Sequence, residues 1–209
     1  MVSAKKQEVQ KLDDVKLMFI LGDNEKWRPM ENKAELIDLI ENDDFTAKGM
    51  EVLIQDLPFY KDAQLIRVED SVETEESTKL FYIRFEGDYA ELGGDVSIIY
   101  EVNEDIGINL NKDNVFDYLK FSCFFTTDED GNSYFVLEND QSEFLVGRSA
   151  LDKKRWFRKF EGSTISETKP GYFIINTRVI VGGYLYDVRF EIKPDGYVEM
   201  EDGTLVGAI

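Results

Sequence analysis

The chain has 209 residues, with 43 acidic side chains against 24 basic ones and a net charge of −19. It holds one cysteine and no histidine, which excludes an internal disulfide, Ser-His-Asp and Cys-His catalysis, and the usual zinc sites. Its apolar content of 43% excludes a wholly disordered polypeptide, and a chain of this length buries enough surface to need no covalent staple.

Residues 1–14, "MVSAKKQEVQKLDD", read as a polar lead-in without the apolar core of a signal peptide. Residues 15–209 read as one domain, with a division between 140 and 165 left open because the hydrophobic period is least clear there. "VKLMFIL" (15–21) predicts a strand closed by "GDNEKW". "ENKAELIDLIEN" (31–42) predicts a helix with Leu36, Ile37 and Ile40 on one face, Asn32 as cap and Glu35 completing a box-like pattern. "MEVLIQDL" (50–57) has a mixed period and fits strand or helix until Pro58 ends it.

"AQLIRVED" (63–70) and "KLFYIRFEG" (79–87) predict two strands joined by the acidic loop "SVETEEST". "DVSIIYEVN" (95–103) predicts another strand, opened by a Gly93-Gly94 turn of the hairpin kind. "NKDNVFDYLKFSCFF" (111–125) predicts a central amphipathic helix with a broad apolar face, capped by Asp113 or Asn114. Cys123 lies there among aromatics, as a small buried hydrophobe would. "DEDGNSYFVLE" predicts an acidic turn and a strand over 133–138.

The last third predicts a three-strand meander. "GYFIINTRVIV" (171–181) and "YLYDVRFEI" (184–192) flank Gly182-Gly183, and "KPDG" leads into "YVEME" (197–201). Strands outnumber helices without regular alternation, so the expected class is α+β, mostly antiparallel, with this meander and one central helix.

The stretches "LPFY…LIRVED", "YEVNEDIGINLNKDNVFDYLKFSCFF" and "RFEIKPDGYVEM" resemble segments of uncharacterised bacterial proteins over roughly residues 57 to 200. The resemblance implies a bacterial cytoplasmic origin. It carries over no activity and no site residues.

Tests for chemistry return little. A calcium loop aligned on Gly131 places Thr126 at its first position and Leu137 at its twelfth, so a hairpin turn fits better. No Walker or GxGxxG pattern occurs, and neither a catalytic residue, a metal ligand nor a cofactor is expected. Adjacent acids such as Asp43-Asp44 and Glu104-Asp105 are common by composition alone. One segment departs from the rest: "DKKRWFRK" (152–159) sets Lys153, Lys154, Arg155, Arg158 and Lys159 around Trp156 and Phe157. These seven residues are the candidate partner-binding site, because Arg and Trp anchor interfaces. The competing account, pairing with the chain's own acids, is the stronger expectation for so acidic a protein.

The expected function is therefore a non-enzymatic acidic binding protein that acts in the cytoplasm by protein–protein contact. Its overall charge suits a partner of basic character. An acidic nucleic-acid mimic, a carboxylate- and magnesium-dependent enzyme, and self-association stand as alternatives. Direct nucleic-acid binding is disfavoured by the net charge, and no apolar run is long enough to span a membrane.

Overall fold

The computed structural model describes residues 27–40, 50–70, 79–137, 149–158, 160–201 and 203–209. The expected strand at 15–21, the acidic loop at 71–78 and the Asp43-Asp44 pair lie outside these residues. Among them the fold is α+β with mostly antiparallel sheet, and no helix is long and apolar enough to cross a membrane.

The first sheet is an antiparallel meander of β1 (Arg28–Pro29), β2 (Met50–Asp56), β3 (Gln64–Asp70), β4 (Lys79–Phe85) and β5 (Asp88–Glu91), in that spatial order. Helix α1 (Ala34–Ile40) starts one residue later than the expected cap allows and sends Leu36 and Ile40 against Val52, Ile54, Ile66, Val68 and Tyr82. The opposite face, with Leu65 and Ile83, enters the central core. Both faces of β2 are therefore covered, which explains its mixed period: Val52, Leu53, Ile54 and Gln55 are all buried.

"DVSIIYEVN" is helical, contrary to the strand reading. It opens helix α2 (Val96–Ile106). The Asp95 carboxylate accepts from the Ser97 amide at 2.9 Å, and Ile99, Val102 and Asn103 are buried at helical spacing. Gly107 ends the helix at φ +73, with its N–H donating to the Asn103 carbonyl. A cap and an apolar face outweigh the β-propensity of the Ile-Ile-Tyr run. Gly93-Gly94 makes no hairpin either. Gly94 bridges Thr126, at φ +102, where an added Cβ would come within 2.8 Å of the Thr127 hydroxyl.

Helix α3 (Val115–Phe124) is the expected central helix. Val115, Phe116, Tyr118, Leu119, Phe121, Ser122 and Cys123 are all buried. Asn114 occupies the cap position, but its side chain works elsewhere. It accepts from the Asn111 N–H and donates to the carbonyls of Asn109 and Pro58. The apolar face of α3 fills the space between the two sheets, where Phe59, Leu65 and Ile83 meet Phe173, Ile175 and Phe190.

The second sheet contains the expected meander, β8 (Tyr172–Val181), β9 (Tyr184–Ile192) and β10 (Val198–Met200). Gly182 and Gly183 both take positive φ in its tight hairpin. The sheet is wider than the sequence reading. Strands β6 (Phe135–Leu137) and β7 (Thr164–Lys169) share the outer edge of β8, while β10 and β11 (Thr204–Ala208) share that of β9. The reading missed β7 because its six residues are all exposed, so no apolar alternation marks it.

A buried polar chain locks the β9–β10 turn onto the helices. Tyr60 donates to the Asn103 carbonyl oxygen at 2.5 Å, and Asn103 Nδ2 donates to the Tyr118 hydroxyl at 2.9 Å and the Asp195 carbonyl at 3.1 Å. Tyr118 in turn donates to the Gly196 carbonyl at 2.6 Å. Burial raises both phenol pKa values and keeps them neutral donors. Asn103→Leu leaves the Tyr60 hydroxyl and the Asp195 carbonyl without their partner while Tyr118 keeps its bond to Gly196, and the expected loss is about 1–3 kcal/mol per orphaned group by urea unfolding. Gly196→Ala, whose Cβ would lie 2.4 Å from Asn103 Nδ2, should cost stability through the same contact.

Burial likewise pushes the Cys123 thiol up to about 12. The folded state holds it protonated, so this contribution is complete below about pH 8.5 and declines above it as the unfolded thiol ionises. A thiol reagent at pH 8 should label native protein far more slowly than protein in denaturant; equal rates would contradict this burial.

Candidate functional site

The second sheet turns one face to α3 and the other outward. On the outward face Phe135 lies opposite Ile180, Ile180 opposite Leu185, and Arg178 between Leu137 and Asp187. Phe135, Leu137, Ile180 and Leu185 form an apolar end that would be wet if nothing covered it. The cover is helix α4 (Ala150–Trp156), which holds the first part of the basic segment.

The local sequence explains α4. The Ser149 hydroxyl accepts from the Asp152 amide at 3.1 Å and donates to the Asp152 carboxylate at 2.6 Å, a reciprocal N-terminal cap. Asp152 in the first turn and the bases toward the far end both suit the helix dipole, a local reason for part of the charge pattern. Trp156 is 6% exposed and packs with Phe135, Leu137 and Leu185. Gly207 on β11 admits its indole, since a Cβ there would sit 2.9 Å from Nε1.

Arg178 fixes the end of this helix from below. Its side chain is only 5% exposed. Nε pairs with Asp187 at 2.6 Å, Nη1 donates to the Trp156 carbonyl, and the guanidinium lies 4.7 Å from the centroid of the Phe160 ring. A buried cation is tolerated only with partners of this kind. Here it also satisfies a helix-terminal carbonyl that would lack a donor.

The seven candidate residues therefore separate. Trp156 belongs to the core and offers no free ring to a partner, a correction to the expectation that it anchors a contact. Phe157 is half-buried against the same cluster. Lys154, Arg155 and Arg158 are exposed. The side chain of Lys153 and the whole of Lys159 lie outside the described residues. The structure adds Leu151, 80% exposed, which the sequence reading passed over. Positions 151, 154, 155 and 158 follow the spacing of one helix face, although Arg158 stands just past the last helical residue.

Among the described residues no carboxylate forms an ion pair with Lys154, Arg155 or Arg158. Elsewhere Arg28 pairs with Asp56, Arg67 with Glu69, Lys120 with Asp117 and Arg189 with Glu201. Among the described residues, ion pairing thus holds for several bases of this acidic protein and not for these three.

Other constellations serve folding. The Asp128 carboxylate accepts from the Asn132 amide at 2.8 Å and side chain, and from the Asp130 amide, inside a tight turn. The bonds from Asn132 hold its carboxyl below the usual range. Glu104 and Asp105 are exposed on α2. Among the described residues no three Asp, Glu or Cys side chains are arranged to hold a metal ion. A shallow hollow of about 170 Å³ lies between Phe81, Leu92, Phe124 and Phe125, with Thr127 and Ser133 at its rim.

The helix was legible from one overlooked signal, the Ser-x-x-Asp cap at Ser149 and Asp152. Arg178 was not, because a lone base in an apolar strand gives no hint of the carbonyl it reaches. Arg178→Met keeps the aliphatic stem and removes the guanidinium. It should cost about 1–3 kcal/mol and speed amide exchange in α4 while α3 stays protected. Equal acceleration in both helices would show that Arg178 does not act on α4 in particular. No protein-family model, no curated protein and no solved structure matches this chain, so the reading of the site rests on its own geometry.

Proposed function

We propose that this protein is a non-enzymatic binding protein of the bacterial cytoplasm that acts by protein–protein contact, with the solvent face of α4 as its contact surface. The observation that carries the reading is the set of three cations left without an ion-pair partner among the described residues, two on a helix clamped from below by Trp156 and Arg178 and the third just past its end. A clamped helix presents its side chains with little ordering left for the moment of contact.

Two features favour this reading over its alternatives. Exposed carboxylates are scattered over β2 (Glu51), β5 (Glu91), α2 (Glu104), β7 (Glu167) and β10 (Glu199). A nucleic-acid mimic needs them in one phosphate-like row. A carboxylate enzyme would need acids converging in a cleft, whereas the aromatic hollow beside Phe124 and Phe125 is lined by no acid.

The test is a capture experiment from the lysate of the source organism at ~50 mM and ~500 mM salt, a range over which screening tightens severalfold. Wild type should retain a partner at low salt. K154E/R155E/R158E should lose it with an unchanged melting temperature, since all three positions are exposed. The same captured proteins with both forms would overturn the assignment of the contact surface to α4.

A further inference from the structure

The face of α4 also limits the chemistry of its partner. We infer that it recognises an acidic segment of a different protein, one that brings an apolar side chain to Leu151 together with carboxylates for Lys154, Arg155 and Arg158. This rests on the contact surface assigned above and names what that surface takes.

Leu151, in the first turn of α4, leaves 80% of its surface exposed. Lys154 and Arg155 follow one helical turn on, about 5.4 Å of rise, and Arg158 stands in the turn just past the end of the helix. The face is thus apolar at one end and cationic at the other. A matching ligand is apolar at one end and anionic over the next two turns.

A nucleic acid fits this poorly. Phosphates gain nothing from Leu151. Single-stranded binding also calls for open aromatic faces on which bases stack. Trp156 is buried, Phe157 is half-buried, and one face of Phe160 is covered by Arg178 at 4.7 Å. The field of a chain at −19 further opposes a dense polyanion.

Among the described residues, the acidic surfaces of a second copy fit poorly too. The acidic face of α2, with Glu101, Glu104 and Asp105, carries no large exposed apolar residue. Met200, 45% exposed, does lie between Glu199 and Glu201, but these acids already pair with Lys193 and Arg189. Two copies would also each bring the full negative charge to the contact. A distinct protein, with its acids sparse and interrupted by apolar residues, satisfies both ends of the face.

The experiment uses three labelled probes and fluorescence anisotropy on the full chain. One probe is a helical peptide with Glu on one face and a Leu row beside it. The second replaces each Leu with Gln, and the third is an oligothymidylate of similar length. The Glu/Leu peptide should bind most tightly. Leu151→Ser should weaken that binding about tenfold or more, as expected for losing a buried leucine contact. K154E/R155E/R158E should abolish it.

Equal affinity for the Gln peptide, tighter binding of the oligothymidylate, or a dimer in sedimentation that L151S dissociates would each overturn the inference. Failure of the Glu/Leu peptide, with lysate capture still dependent on the three cations, would refute the partner chemistry and leave the contact surface standing. Failure of both would refute the two together.

Discussion

The buried amide of Asn103 is the constraint from which the placement of the second sheet follows. It joins the turn after β2 through Tyr60, helix α3 through Tyr118, and the β9–β10 turn through the Asp195 carbonyl. These groups are far apart in the chain, so the bonds close long loops that apolar packing alone would leave free to slide. Apolar contacts fix how much surface is buried; directional bonds fix which register buries it. With Tyr118 also donating to Gly196, every member of the chain has a partner, and such a network specifies one arrangement.

From that turn the constraint passes along β9 to the outer face of the sheet. Neighbouring residues of β8 and β9 point to opposite sides, so Val179 and Val188 enter the core while Arg178 and Asp187 meet across the outer face. The core therefore sets where the Arg178 guanidinium stands, and the guanidinium sets where α4 ends. Trp156 adds apolar area to the same junction and Gly207 leaves room for it. A surface helix of seven residues has little stability of its own. Its position here is inherited from the sheet below.

The sequence reads well where one physical signal dominates. Alternation marked β3 and β4, alternation about a glycine turn marked β8 and β9, and a broad apolar face marked α3. It misleads where a local signal competes with a distant one. The Val96–Ile99 run has strand propensity, and only the Asp95 cap together with burial of Ile99 and Asn103 makes it a helix. It is silent where the determinant is a partner far along the chain. Nothing near Thr164–Lys169 announces β7, because all of its order comes from pairing with β8. The candidate site combines all three cases. Its charge was plain, its cap at Ser149 was readable but overlooked, and the burial of Trp156 depends on strands β6 and β11 that the composition of residues 152–159 cannot reveal.

The opposition between a negative protein and a positive face has a physical consequence for selectivity. At physiological ionic strength the screening length is about 8 Å, so a partner at longer range meets a weak negative field and only at contact meets Lys154, Arg155 and Arg158. Long-range steering therefore gives no help to an acidic ligand, and association is not accelerated as it is between oppositely charged proteins. On the proposed reading, recognition depends on what happens at contact: the three cations and the leucine beside them. A strongly acidic polymer gains the cations but meets the field along its whole length, while an apolar peptide gains only the leucine. The ligand favoured by the sum is modestly acidic and locally apolar. On the proposed reading, the excess of carboxylates would act as a filter that raises the selectivity of a small basic surface.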